Sequence, residues 1–311
     1  MKLNERLLIL DSNSILHRAF HALPSLTTKK GEQVSAVYGF LLVFFKALRE
    51  IQPDFVCACF DFPAKTFRHK KFIEYKATRP PTPKDLASQI EKTKEILNFL
   101  ATPVLEKEGF EADDLIGTLV KKFPEKEKII LTGDSDTLQL INKNTEVYLF
   151  KKGVKNTVLY GENLVKERYE GLKPEQIPDF KALIGDISDN IPGVPGIGEK
   201  TAFKILQKFD SLENLYQELG KNLGRIKELK PELKNDLIKY KKQVFLSKFL
   251  VKIKKDVSLD FNLKKSRWGN YDKKKVTQVL NNFEFYSLIK RLEELEIKRS
   301  ENIQSKQKTL L

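Results

Sequence analysis

Sulfur and imidazole are scarce in this chain. Its 311 residues include two cysteines, one methionine, one tryptophan and three histidines. Cys57 and Cys59 lie two apart inside an apolar run, which reads as buried thiols rather than a disulfide framework or a zinc site. His17, His21 and His69 show no metal-ligand spacing. No apolar run is long enough to span a bilayer, and the N-terminus lacks a signal-peptide core with a cleavage site. A cytoplasmic protein with no membrane partner is therefore expected. No internal repeat is visible.

Charge is abundant, and one sign is in excess. Fifty-six Lys and Arg stand against 42 Asp and Glu, a formal charge of +14. Such an excess points to a polyanionic partner, nucleic acid ahead of an anionic membrane surface. Solubility through net charge is the plainer alternative.

The apolar residues fall in a pattern of alternating strands and helices. Arg6 to Leu10 reads as a buried strand ending at Asp11, Ser12 and Asn13. Val34 to Ile51 is a long apolar helix. Phe55 to Phe60 is a second strand ending at Asp61, and Lys128 to Gly133 a third, ending at Asp134 with Asp136 two beyond. Helical patterns at Pro83 to Leu100 and Glu111 to Phe123 separate them. The order implies an α/β fold with a mainly parallel central sheet flanked by helices. In such a sheet, ligands bind beyond the carboxyl ends of the strands.

One aspartate after a strand is commonly a helix cap. Here three strands end in one, and Glu111, Asp113 and Asp114 open a helix whose dipole also favours negative charge. Like charges about 4 Å apart repel by about 4 kcal/mol at an effective dielectric near 20. A crevice gathering them must bind cations or take up protons. An all-oxygen ligand set argues for Mg²⁺ or Mn²⁺ over Zn²⁺. Asp186 and Asp189, three apart, could share a helical face and supply another pair, or belong to a polar loop.

Two further stretches suit nucleic acid. Gly193 to Ala202 contains a Pro/Gly turn and then a helix start. It resembles a helix-hairpin-helix, which grips a phosphate backbone through Gly193, Gly196, Gly198, Lys200 and Thr201 without reading sequence. Lys65 to Pro81 interleaves basic residues with Phe67, Phe72 and Tyr75, the pairing of cations and stacking rings that holds single strands. It leaves the sheet after one carboxylate and returns before the next, as a lid or arch over the crevice would.

Together these residues resemble the 5′ nuclease domain of bacterial DNA polymerase I, of the flap endonuclease family. The resemblance is carried in order by Arg18-Ala19-Phe20-His21-Ala22-Leu23, Ala36-Val37-Tyr38-Gly39-Phe40, Phe67-Arg68-His69, Tyr75-Lys76-Ala77-Thr78-Arg79, Glu111-Ala112-Asp113-Asp114, Thr132-Gly133-Asp134-Ser135-Asp136 and Gly185-Asp186-Ile187-Ser188-Asp189-Asn190. It extends to about Leu292. Ser135, where the family often has Lys, and His17, where Tyr is common, depart from it at positions that carry no metal ligand. The polymerase and proofreading regions are absent, so a freestanding nuclease and an excised domain are both open.

The resemblance implies a PIN-like nuclease: a core over 1–175 with an arch at about 62–100, a helix-hairpin-helix region over 176–260, a closing segment over 261–298 and a flexible tail over 299–311. It implies two Mg²⁺ ions, with Mn²⁺ as a substitute. Asp11, Asp61, Glu111 and Asp113 would lie nearer the first, Asp134, Asp136, Asp186 and Asp189 nearer the second, and Asp114 between. Lys76 and Arg79 would reach the scissile phosphate. Arg68 would steer the 5′ strand, Arg18, Phe20 and Tyr75 would meet DNA, and a K⁺ ion would sit on the hairpin carbonyls. The substrate would be a single-strand/duplex junction: a 5′ flap, a nick or an RNA-primed 5′ end. The setting would be bacterial replication and repair, and the chain a monomer. Gln307 to Leu311 is similar to the peptide by which replication proteins dock on a sliding clamp; an ordinary polar terminus is the alternative. A non-catalytic flap-binding protein would share the basic surface. A phosphatase of the haloacid-dehalogenase type is disfavoured, because it needs an aspartate two residues after its nucleophile and Asp11 is followed by Ser12 and Asn13.

Overall fold

The computed structural model describes residues 5–152, 156–221 and 224–308. The chain runs β1 (Arg6–Asp11), α1 (Ser12–Ala22), α2 (Ser35–Ile51), β2 (Phe55–Cys59), α3 (Phe67–Lys71), α4 (Lys84–Phe99), β3 (Val104–Leu105), α5 (Ala112–Lys122), β4 (Glu127–Thr132), β5 (Thr145–Lys152), β6 (Asn156–Tyr160) and α6 (Glu162–Arg168). It continues as α7 (Ile177–Ile184), α8 (Glu199–Phe209), α9 (Leu212–Lys221), α10 (Pro231–Lys239), α11 (Lys241–Val251), α12 (Lys273–Asn282) and α13 (Tyr286–Lys308).

The strands form one sheet in the order β3-β2-β1-β4-β5-β6. Neighbours from β3 to β5 are parallel, and β6 returns antiparallel to β5. Both faces are covered, and the two-residue period of the strands divides the core. Leu7, Ile9, Cys57, Cys59, Ile130 and Val147 pack toward α5, α7 and α8. Leu8, Leu10, Val56, Ala58, Ile129 and Leu131 pack toward α1, α2, α4, α12 and α13. The two cysteines are free buried thiols on the first of these faces. Trp268 packs edge-on against Phe44, ring centroids 5.5 Å apart, on the second.

Strand order positions the site. β1 is central: the chain leaves it for β2 on one side and later returns to β4 on the other. Parallel pairing then brings the residues that follow all three strands to one edge, at the point where the winding changes direction. Asp11, Asp61 and Asp134 are those residues.

Three elements differ from the sequence expectation. The β5–β6 hairpin has no counterpart in it; its antiparallel pair extends the sheet on the β4 side. Asp186 and Asp189 do not share a helical face: α7 ends at Gly185, φ +80°, and Asp186 caps the short 3-10 turn Ile187–Asp189. Beyond residue 298 the chain stays helical to Lys308 instead of fraying. Of the clamp-like peptide, Thr309, Leu310 and Leu311 lie outside the described residues. Among the described residues no helix is long and apolar enough to cross a membrane.

Candidate active site

The site is built from short caps at the strand ends. Asp11 closes β1 and caps α1, its carboxylate accepting the Ser14 N–H at 3.3 Å and the Thr132 hydroxyl. Thr132 at the end of β4 in turn accepts the Asp134 N–H at 2.9 Å, so one hydroxyl ties two adjacent strands together. Asp134 caps the next turn by accepting the Asp136 N–H at 2.9 Å. Asp61, exposed at the rim, accepts the Ala112 N–H at 2.8 Å and so joins the exit of β2 to the start of α5. Asp113 lies in that helix's first turn.

These carboxyls crowd one another. Burial raises the Asp11 carboxyl, with Asp134 and Asp61 adding to the effect against the Thr132 hydrogen bond, so that it is pushed up to about 7. Burial, Asp11 and Asp134 push Asp113 well above the ordinary carboxyl range. Burial and Asp134 work to raise the Asp136 carboxyl, and Lys181 opposes them.

On the far side the chain supplies its own cations. Lys181 pairs with Asp136 and, at 2.7 Å, with Asp186. Lys76 donates to Glu111 Oε1 at 2.8 Å and lies 3.9 Å from Asp189 Oδ2. Arg79 pairs with Asp189 Oδ1. Burial works to raise Glu111, but Lys76 and Arg68 outweigh it and hold its carboxyl below the usual range. The turn that carries Lys76 is docked firmly. Lys76 itself has φ +54°, its N–H bonds the Asp189 carbonyl at 2.9 Å, and the Asn190 side chain donates to the Glu74 carbonyl at 2.8 Å.

Among the described residues no three of these side chains close on one point as a finished metal cage does. The donor chemistry nonetheless fits hard divalent cations. It is all carboxylate oxygen, and Asp11, Asp61, Asp113 and Asp134 form no ion pair with Lys or Arg among the described residues. Uncompensated carboxylates gathered at one sheet edge are what a cation would relieve.

Beside the crevice, α7 and α8 are joined by a glycine-rich hairpin. Gly193 packs so closely on the end of α7 that a Cβ there would lie 2.3 Å from the Ile184 carbonyl carbon. Val194 and Ile197 are buried, while Pro195, Gly196, Gly198, Glu199 and Lys200 are exposed and Thr201 half-buried. Gly198 caps α8 without any side-chain bond, so no side chain satisfies the first N–H groups of that helix, and there is open space around Gly198.

The family described as 5′-3′ exonuclease, N-terminal resolvase-like domain, matches residues 6–170, and the 5′-3′ exonuclease C-terminal SAM fold matches residues 172–274. The 5′-3′ exonuclease of Aquifex aeolicus is 37% identical over 291 residues, covering 93% of this chain and 96% of that protein. The chain belongs to the 5′-3′ exonuclease family. DNA polymerase I of Caldicellulosiruptor bescii is 43% identical over 305 residues, 97% of this chain. The chain spans only 35% of that polymerase's length. Solved structures agree on the fold, which is PIN-like. The bacteriophage T5 flap endonuclease, in a pseudo-enzyme-product complex with DNA and metal ions, matches with a TM-score of 0.66 at 17% identity, covering 95% of this chain and 100% of that one. The Rad2 catalytic core in complex with DNA substrate matches at 0.60 and 16%, covering 96% and 93%.

Within this family fold, several residues expected at the metals or the DNA do other work. Asp114 does not bridge the two halves of the crevice. It is wholly buried, and both its oxygens bind Arg68, at 2.7 and 2.8 Å. Arg68 is not on a DNA-facing surface either. It is 2% exposed, and its N–H donors are spent on Asp114, Glu111 and the carbonyls of Leu250 and Lys252. Tyr75 is buried, its hydroxyl donating toward Glu111 at 3.1 Å and Asp189 at 3.2 Å, so its ring is not an open stacking platform. Arg18 is half-buried and donates to the carbonyls of Gly133 and Phe150, each at 3.2 Å. Phe20 is half-buried against His21. One residue escaped the sequence reading altogether: Lys181. A lysine in the last turn of a helix is ordinary dipole chemistry, and only its spacing of five from Asp186 hinted at more.

Proposed function

We propose that the chain is a structure-specific 5′ nuclease that hydrolyses DNA phosphodiesters at 5′ flaps and 5′ ends, using two divalent cations. One observation carries the reading. Carboxylates from the ends of three parallel strands and the start of α5 gather at one end of the sheet, next to carboxylates paired with two basic side chains of the arch and beside an uncapped helix N-terminus.

Asp11, Asp61, Glu111 and Asp113 would hold the first cation, and Asp134, Asp136, Asp186 and Asp189 the second. When bound, two Mg²⁺ ions, or Mn²⁺ in their place, would supply Lewis acidity to the phosphodiester. The chain's residues do the rest. Thr132 and Ser14 fix the Asp11 carboxylate, and the Ala112 N–H fixes that of Asp61. Lys76 and Arg79, held at the mouth by Glu111 and Asp189, transfer to the phosphate oxygens as DNA arrives and offset charge at the reacting centre. The hairpin from Gly193 to Thr201 holds the downstream duplex through uncapped N–H groups and Lys200, and its carbonyls are the place for a K⁺ ion. This favours cutting at a single-strand/duplex junction.

The setting we infer is RNA-primer removal and repair in a bacterial cytoplasm, acting as a monomer, with Gln307 to Leu311 as a sliding-clamp peptide. The test is an end-labelled 5′-flap duplex incubated with and without Mg²⁺. Cleavage near the junction, only with Mg²⁺, is expected. Tight flap binding with no product under any divalent ion would instead make the chain a flap-binding protein.

A further inference from the structure

Lys181 lies in the last turn of α7, and its ammonium is held between carboxylates of two different segments. One is Asp136 from the turn after β4; the other is Asp186, just past the helix. All three side chains are largely enclosed, 14%, 16% and 13% exposed. The backbone turn brings the two residues together. Gly185 ends the helix with its N–H on the Lys181 carbonyl at 2.8 Å, and its φ of +80° turns the chain back, so Asp186 lands on the lysine five residues earlier. Asp186 is fixed again by the Ser188 N–H and hydroxyl, at 2.9 and 2.6 Å. An enclosed ammonium is unfavourable without such partners, so the pocket between these carboxylates is shaped for one positive charge.

The carboxylates of the crevice differ in this respect. Asp11, Asp61, Asp113 and Asp134 have no ion-paired Lys or Arg among the described residues, whereas Asp136 and Asp186 share one from the helical core. Lys76 and Arg79 pair with Glu111 and Asp189 from the arch, a different part of the chain.

We propose that Lys181 is a built-in counter-ion for the second cation position, occupying the space between Asp136 and Asp186 and swinging aside when a divalent ion enters. The inference rests on reading these carboxylates as metal ligands. It makes Lys181 a positioning residue. The lysine keeps two like charges together in the metal-free chain and weakens the second cation's binding, because entry breaks both of its ion pairs. The flexible four-carbon stem suits a group that must leave and return.

The test is a Mn²⁺ titration of the metal-free full chain, with free Mn²⁺ read by electron paramagnetic resonance. In Lys181→Met the weaker of two dissociation constants should fall by about tenfold, the equivalent of about 1.4 kcal/mol. The tighter constant should not move. The metal-free thermal midpoint should drop, and its rise on adding Mn²⁺ should exceed that of the parent chain. Lys181→Arg, which keeps the charge, should bind Mn²⁺ as the parent does. Lys181→Gln serves the same purpose if the Met variant does not fold. Unchanged or weaker Mn²⁺ binding in the neutral variants overturns the proposal. A parent chain that takes up no Mn²⁺ overturns the metal-ligand reading itself, and the proposal with it.

Discussion

Individual residues in this crevice are tuned by what surrounds them. Asp11 keeps its proton up to about 7, against an ordinary 3.8. Between those values the folded chain binds more protons than the unfolded one, so its stability falls as pH rises through that window. Glu111 and Asp186 are shifted the other way, and their contribution is lost only below the ordinary carboxyl range. In EDTA, the thermal midpoint should therefore decline from about pH 4 to about pH 7; saturating Mg²⁺ should remove most of the decline. Scanning fluorimetry at matched ionic strength checks this. A second residue-scale outcome separates chemistry from binding. Asp134→Ala should abolish Mg²⁺-dependent cleavage while flap binding, measured by anisotropy, stays close to the parent value. Arg68→Ala should instead act on the fold. It strands Asp114 in the interior, and such losses cost about 3–5 kcal/mol in urea unfolding. Asp11, Asp61 and Asp134 were legible in the sequence because each follows a buried parallel strand, and the topology of such strands brings their ends together. The fate of Asp114 was not. Its partner is 46 residues away, and nothing in a helix's first turn tells whether a carboxylate faces a crevice or an arginine.

At the scale of elements, the hairpin between α7 and α8 shows how glycines of one motif divide their labour. Gly193 is crowded by backbone atoms of Ile184 and Gly185, so Gly193→Ala should force the end of α7 apart and cost about 1–3 kcal/mol. A methyl group on Gly198 would meet no atom within 4 Å, so stability should change by no more than about 1 kcal/mol in Gly198→Ala. Lys200→Ala should weaken duplex binding and reduce the slope of log affinity against log salt by about 1. If only the cleavage rate changed, the hairpin would not be the duplex anchor. On the arch, Lys76→Ala should slow single-turnover cleavage on the order of 100-fold, and an unaltered rate removes that lysine from the chemistry. The motif itself could be read from Pro and Gly spacing. Which glycines serve packing and which face outward depends on α7 ending against Gly193, a tertiary contact. The β5–β6 hairpin and the helix beyond residue 298 escaped for a related reason: edge strands and terminal helices owe their order to the neighbours they meet, not to strong local patterning.

The whole molecule is a two-faced sheet whose site draws on segments from Asp11 to Asp189, so no short contiguous piece of the chain holds it complete. Its net charge of +14 adds a long-range pull on a polyanion to these local contacts. Removal of the last five residues should leave flap cleavage intact while lowering recovery on immobilised sliding clamp; equal recovery ends the clamp reading.

The burial of Arg68 also has a kinetic meaning. Through this one side chain, the foot of the arch at α3 is tied to α5 and to the carbonyls at the end of α11. Beyond the docked Lys76 turn, the crown from Ala77 to Pro83 is exposed. Amide hydrogen exchange should divide accordingly. The amides of Lys70 and Phe72, bonded within α3, should exchange on the timescale of global unfolding, and those of Ala77 and Arg79 in local openings many times faster. The arch would then behave as a hinge with one fixed leaf, able to admit a DNA end while its root stays as slow to open as the sheet.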